Sequence, residues 1–319
     1  MTNIRDLAKM AGVSVTTVSR VLNNHPYVSE EKKNAVLKAV KATRYHKNIN
    51  AVHLSKGKTK LIGVVLPFTD HPYFALLLKG IAKQALEYNY KLLLFQTDYM
   101  ESRETEALQM LQQKQIDGLI ICSRACSMRK IEEYLPFGPI ALCECVKGGE
   151  ISSTYIDHYK IFMDALEFLY RKGHTIIGYC IGRKSGTNSR NREKAYWDFH
   201  KKYHLPHHPE YIFDQCYDYE DGERVLSRVK EMDPPPTALL VTSDQVAAGI
   251  VISCNKQQIS IPDELAIIGF DNEPIAGMLN ITTIDIPLVE MGRNLVRQVL
   301  TKEIKNKEIS AKLIERGTV

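Results

Sequence analysis

Val15, Thr16, Thr17, Ser19 and Arg20 crowd one short stretch, SVTTVSRVLNN, that contains no carboxylate. A guanidinium can donate two bonds to a guanine edge, and hydroxyls can meet bases or phosphate oxygens. The stretch therefore suits recognition in a DNA major groove. Asn23 at its end and Tyr45 further on add candidate phosphate contacts.

Signatures of catalysis are missing from the sequence. Gly182 in CIGRKSG and Gly269 in IIGFDN follow strand-like runs, but neither begins a GxGxxG or GxxxxGK[ST] phosphate loop. No nucleophile elbow and no HExxH occurs, so neither an enzyme activity nor a cofactor is expected. His204, His207 and His208 surround prolines in HLPHHP and lack partner ligands at zinc spacing, so no metal is expected. The seven cysteines are scattered and read as reduced thiols; Cys143 and Cys145 would point to opposite faces of a strand.

Presenting the carboxylate-free stretch requires a small helical unit. IRDLAKMA spaces Ile4, Leu7, Ala8 and Ala11 for an amphipathic helix capped by Thr2 or Asn3. Gly12 permits a tight turn and Ser14 is a strong N-cap for a second helix. In that helix Val15, Val18 and Leu22 are expected inside, with Thr16, Thr17 and Arg20 outside. A third helix from Ser29, with Glu30 and Glu31 where the helix dipole favours anions, is expected to bury Ala35, Val36, Ala39 and Val40. Three short helices with a Gly turn after the first make a helix-turn-helix, whose second helix enters the groove.

Charge supports the same reading. Net charge is +5, but residues through Lys60 carry 12 Lys+Arg against 3 Asp+Glu, and the remainder 30 against 34. A basic head on a near-neutral body is what phosphate binding asks for. The following INAVHLSKGKT is too short for a stable isolated helix and is expected to order on DNA. Leu54, between His53 and Lys56, is either an ordinary exposed side chain or an apolar wedge for the minor groove.

Beyond Lys60 the 319-residue chain, 44% hydrophobic and 25% charged, has the length for further units. Short β-rich runs (LIGVVLPF, KLLLFQTD, GLIICS, PIALCEC) alternate with helical stretches, and a second series follows from TIIGYCIG to LAIIGFD. The pattern predicts an α/β fold of two doubly wound parallel-sheet subdomains rather than one very wide sheet. No apolar run reaches the roughly 18 residues of a membrane span, and Arg5 and Asp6 stand where a signal peptide would begin, so a cytoplasmic protein is expected.

The head IRDLAKMAGVSVTTVSRVLNN, the helix YVSEEKKNAVLKAVKATRY, the hinge INAVHLSKGKTKLIGVVLP, and the later TSDQVAAGI and IPDELAIIGFDN together closely resemble the LacI/GalR family of bacterial transcriptional regulators. The resemblance covers essentially the whole chain. It implies a helix-turn-helix domain over 1–46 and a hinge over 47–58. Two periplasmic-binding-protein-like subdomains would follow, 59–158 with 288–308 and 159–287 with 309–319. It further implies a nucleoid-associated homodimer on a near-palindromic operator, acting as a repressor of a sugar-utilisation operon. By motif position, Val15, Thr16 and Arg20 would read bases, with Leu54 the minor-groove wedge and Lys56 its neighbour. The hinge departs from the pattern: Lys47 stands where the family has proline, and Ala51, Val52, His53, Leu54 where it has Ala-Arg-Ser-Leu.

The resemblance also implies an effector cleft. HPYF is similar to the family's Asn-Pro-Phe-Phe, which makes His71, Tyr73 and Phe74 cleft-lining residues. Asp98, Ser123 and Asp157 fall at or beyond strand ends, the edge where open α/β sheets bind ligands. Arg192 in REKAY matches an arginine that clamps effector oxygens, Asp271 in GFDN a carboxylate that accepts hydroxyl protons, and Tyr217 an aromatic platform. Ser243 stands where the family commonly has Asn. Guanidinium, carboxylate and aromatic face together suit a sugar, with a purine next. A phosphocarrier protein as corepressor is the other family mode, and a cytoplasmic or exported sugar-binding protein the remote alternative. The helices YFALLLKGIAKQAL and LVEMGRNLVRQVL are expected to carry dimer contacts, and the closing KLIERGTV shows no heptads for coiled-coil tetramers.

Overall fold

The computed structural model describes residues 2–46, 57–146, 148–206, 208–301 and 305–319. Contacts divide the chain into two units, Met1–Thr59 and Lys60–Val319.

In the first unit, α1 (Ile4–Met10) opens on a reciprocal cap: the Asn3 side chain accepts from the amides of Arg5 and Asp6, and Asp6 accepts from that of Asn3. Gly12, at φ +63°, makes the turn into α2 (Val15–Leu22). Ser14 caps α2 by accepting the Thr17 amide at 3.1 Å. Helix α3 (Glu30–Thr43) follows Ser29, which occupies the cap position without a side-chain bond. Leu7, Ala8, Val18, Val21, Val36 and Ala39 form the buried core of this unit.

One expectation needs correcting. Val15 does not pack inward; it is 41% exposed, and Val21 joins Val18 in the core while Leu22 is half-buried. The inward face is the i, i+3 pair at 18 and 21, which leaves the first helical residue outside it. The hinge residues from Lys47 to Lys56, among them Leu54, lie outside the described residues.

The second unit holds two sheets of six strands. The first has the order β11-β5-β4-β3-β1-β2 and the second β12-β10-β9-β8-β6-β7. Strands β1 (Leu61–Leu66), β2 (Lys91–Gln96), β3 (Gly118–Ile121), β4 (Ile140–Leu142), β5 (Ser152–Tyr155) and β11 (Asn306–Glu308) pair in parallel. In the second sheet β6 (Ile177–Cys180), β7 (Ile212–Phe213), β8 (Ala238–Val241), β9 (Ala266–Asp271) and β10 (Thr282–Asp285) are parallel, and β12 (Lys312–Ile314) closes the edge antiparallel. The chain leaves the first sheet after β5, returns for β11, and ends in the second. Runs such as LIGVVL and ALLV are buried almost throughout because helices cover both sheet faces.

The covering helices of the first sheet include α4 (Pro72–Glu87), α5 (Glu101–Gln112), α6 (Met128–Glu132) and α12 (Leu288–Thr301). The second is covered by α7 (His158–Arg171), α8 (Thr187–Tyr203), α9 (Tyr219–Lys230), α10 (Asp244–Gln257) and α11 (Pro274–Met278). Helices α4 and α12 touch at glycines: a Cβ on Gly80 would stand 2.0 Å from the Val289 carbonyl oxygen, and one on Gly292 would stand 2.2 Å from that of Leu77. The two helices expected to meet a partner copy thus cover much of each other. Leu86 at the end of α4 (75% exposed) and Leu94 on β2 (42%) remain outside.

Candidate DNA-reading face and effector cavity

On α2, Val15, Thr16 and Arg20 are exposed, and no carboxylate pairs with Arg20 among the described residues. Thr17 is half-buried and its hydroxyl lies 2.9 Å from that of Ser14, so the cap holds it. Ser19 is half-buried too, and the Asn23 amide donates to its carbonyl at 2.8 Å. Tyr45 packs against the small core just past the left-handed Arg44 that ends α3. The solvent side of α2 therefore presents a methyl-bearing, hydroxyl-bearing and guanidinium edge from one turn to the next.

In the second unit a cavity of about 140 Å³ opens where the carboxyl ends of both sheets meet. Each contributing strand delivers its lining just past its last residue. Phe68 follows β1, Tyr99 follows β2, Ser123 and Arg124 follow β3, Cys143 and Glu144 follow β4, Tyr217 follows β7, Ser243 follows β8, and Asp271 ends β9. Helix α4 adds Tyr73 and Phe74 behind its cap His71, and α8 adds Arg192. The Tyr217 ring lies against Gly182, where a Cβ would come within 2.8 Å of it.

Most sequence-derived cleft residues meet here: His71, Tyr73, Phe74, Ser123, Arg192, Tyr217, Ser243 and Asp271. Asp98 lines an adjoining outer cavity, where Gln96 and Arg103 bond to it. Asp157 is a correction. Its carboxylate accepts the Lys160 amide at 3.0 Å as the cap of α7, and the next residue, His158, lines the cavity instead.

Several charged side chains line this cavity, Arg192 and Asp271 among them. Arg192 rests 4.9 Å above the Phe270 ring, and its Nε is buried without a hydrogen-bond partner. Burial lowers the Arg192 pKa while the charge of Asp271 opposes this. Burial, then the charges of Asp244 and Glu273, push the Asp271 carboxyl well above the usual range, with Arg192 pulling the other way. Asp244 and Glu273 stand behind it, raised to about 6 and about 8, chiefly by burial. Burial and then the charge of Arg192 hold His158 well below its ordinary value, so its imidazole is neutral near pH 7, with Nδ1 unpartnered.

Sequence reasoning did not find the groups that bridge the two sheets. The Arg124 guanidinium pairs with Glu144 and donates to the Thr187 hydroxyl at 3.0 Å. Arg183 lies 3.7 Å over the Tyr99 ring and donates to the Arg124 carbonyl at 3.0 Å and the Ser123 hydroxyl at 3.3 Å. Phe68 meets Tyr217 edge to face at 5.7 Å. The available signal was position alone: each follows a strand in the manner of the residues that were found.

Two sequence-family models match the chain, "Bacterial regulatory proteins, lacI family" over residues 3–48 and "Periplasmic binding proteins and sugar binding domain of LacI family" over 59–316. The chain belongs to the LacI family. Among curated relatives, the HTH-type transcriptional regulator YkvZ of Bacillus subtilis (strain 168) is 43% identical, with 100% of each chain covered. The NTD biosynthesis operon regulator NtdR of the same organism is 37% identical over 100% of this chain and 98% of its own. A solved LacI-family transcriptional regulator from Silicibacter pomeroyi shares the fold at a TM-score of 0.85 and 22% identity, with 100% of this chain and 99% of that one covered. This LacI-family chain is thus a transcriptional regulator with a DNA-binding head and a sugar-binding-type core, and its relatives are named as regulators rather than enzymes. No helix among the described residues is long and apolar enough to cross a membrane.

Proposed function

We propose that this LacI-family regulator represses a sugar-utilisation operon as a homodimer and that a sugar, held in the cavity between the two sheets, sets its operator affinity. The observation that carries the reading is that Arg192, with its buried unpartnered Nε, and the buried carboxyl of Asp271 line one cavity together with several aromatic side chains. A neutral polyol supplies what each lacks: hydroxyl oxygens for the guanidinium, hydroxyl hydrogens for the carboxyl, and a C–H face for Tyr217. The cavity residues His71, Tyr73, Phe74, Ser123 and Ser243 complete the site. Val15, Thr16 and Arg20 read the groove, with Thr17, Ser19, Asn23 and Tyr45 beside them. Leu54 and Lys56 act in the hinge as minor-groove contacts. Exposed Leu86 and Leu94 form part of the face between copies.

The test is a thermal-shift screen of the purified protein against mono- and oligosaccharides, their phosphates and purines. Ligand at about a hundred times its dissociation constant adds roughly 2.7 kcal/mol, a rise of several degrees. A sugar hit that Arg192→Ala abolishes is the expected result. A purine hit would replace the sugar with a corepressor, and a panel that shifts nothing would move control to a phosphocarrier protein. Sedimentation giving a monomer at micromolar concentration would overturn the homodimer.

A further inference from the structure

Three cysteines, Cys122, Cys143 and Cys216, line the effector cavity, and their surroundings differ. Cys122 and Cys143 sit past neighbouring strands, close to the Tyr73 hydroxyl, which lies 3.8 Å from Cys143 Sγ. Burial pushes Cys122 far up and Cys143 to about 12, so both remain inert thiols. Cys216 follows β7 on the opposite wall. Arg224 Nη2 stands 3.9 Å from its sulfur, held there by the Gln215 carbonyl at 2.7 Å and Asp221 Oδ1 at 2.8 Å. Behind it, at the end of β6, lies Cys180, fully buried in the same apolar cluster as Cys216 and paired across the sheet with Phe213, three residues before Cys216.

We propose that Cys216 is an oxidation site for hydroperoxides opening on the effector cavity, and that Cys180 is the resolving thiol that closes a disulfide with it. Three features support this. Cys216 touches the cavity, so a small oxidant can reach it without unfolding the chain. A guanidinium stands beside its sulfur. A second thiol waits on its closed side. The neighbouring Cys180 thiol, then the charge of Arg224, pull Cys216 below its ordinary pKa against the opposing effect of burial, while its thiol donates to the Phe213 and Asp214 carbonyls at 3.5 and 3.4 Å. A lowered, reachable thiol next to a resolving thiol is the arrangement that peroxide-sensitive cysteines share.

The chemistry balances with the peroxide as the only oxidant. The Cys216 thiolate attacks one peroxide oxygen and the O–O bond breaks. The departing alkoxide takes the proton that the thiol gave up and leaves as alcohol, or as water from hydrogen peroxide. Cys216 is then a sulfenic acid. The Cys180 sulfur attacks the Cys216 sulfur, the S–O bond breaks, and the hydroxide leaves as water with the Cys180 proton. Two thiols have lost two electrons, the peroxide has gained them, and the S–S bond ties the loop bearing Tyr217 to β6.

The experiment treats the full-length protein with hydrogen peroxide, blocks remaining thiols with N-ethylmaleimide and maps the peptides by mass. Cys145, the half-exposed cysteine, is the internal comparison. The expected result is a cross-linked pair carrying Cys180 and Cys216, lighter by two hydrogens, that accumulates while Cys145 is still alkylated. In Cys180→Ser, dimedone should add to Cys216. Oxidation of Cys145 ahead of Cys216 would overturn the proposal, as would a Cys180→Ser protein whose Cys216 resists dimedone. Should that variant fail to fold, the map of the unsubstituted protein still decides.

Discussion

Arg192 and Asp271 show how single residues can be singled out as candidates before any fold is known. Each sits in a short motif, REKAY or GFDN, and each is a charged type that a globular interior does not accept without a partner. The structure places both against the cavity, where a ligand can supply the missing bonds. His158, Arg124 and Arg183 were not legible because a histidine or arginine after a strand is as ordinary on a surface as in a site. Asp157 misled for a related reason, since an aspartate before a helix serves its own backbone first. The acidic group behind Asp271 gives a testable pH effect. Glu273 is raised to about 8, so the folded chain holds a proton that the unfolded chain releases near pH 4.5. Its contribution to stability is full below that lower value and is lost as pH rises through about 8, with a slope of at most about 1.4 kcal/mol per pH unit. Urea unfolding of Glu273→Gln across this window should show less loss with rising pH than the parent; parallel curves would mean that Glu273 is ionised throughout. On the DNA side, Arg20→Ala should cost roughly 1–3 kcal/mol of discrimination at one base pair per half-site. Competition between a selected operator and its single-base variants measures this, and unchanged selectivity would remove Arg20 from the groove.

At the scale of elements, the helix-turn-helix was legible because its signals are local: Asn3 and Ser14 as caps, Gly12 as the turn, and apolar spacing over two or three turns. Val15 escaped that reading because a two-turn helix offers too few apolar positions to fix its inward face from sequence. Strands β1, β3, β8 and β9 were visible as apolar runs, whereas β11 (NKE) and β12 (KLI) carry no such run and pair only because sheet edges are available to them. The contact between α4 and α12 was equally invisible, since a glycine inside a helix pattern does not announce what approaches it. Gly80→Ala would bring a methyl to 2.0 Å from the Val289 carbonyl oxygen, so the helices must separate. A loss of about 1–3 kcal/mol is expected from such overpacking. Thermal unfolding of the variant checks it, and an unchanged midpoint would show that the pair can part without cost.

For the whole molecule, the division into head and core turns regulation into a question of linkage between two binding sites. The core carries bonds that cross from one sheet to the other, Arg124 to Thr187 and Arg183 to Ser123, and these border the cavity itself. A ligand that fills the cavity changes the company those side chains keep. It can shift the balance between cleft geometries only by the difference in its affinity for them. Whether operator binding then rises or falls depends on which geometry the regulator uses on DNA, but the size of the effect obeys a constraint independent of sign. If a sugar changes operator affinity by some factor, saturating operator must change sugar affinity by the same factor, on the order of 5- to 150-fold for couplings of about 1–3 kcal/mol. Titrating operator with and without sugar, and sugar with and without operator, at one salt concentration tests this because phosphate contacts make every operator affinity salt-dependent. Equal factors would tie the cavity to the head by equilibrium coupling. A sugar that binds the cavity and leaves operator affinity untouched would separate them, and control of this regulator would then have to enter through another surface of the core.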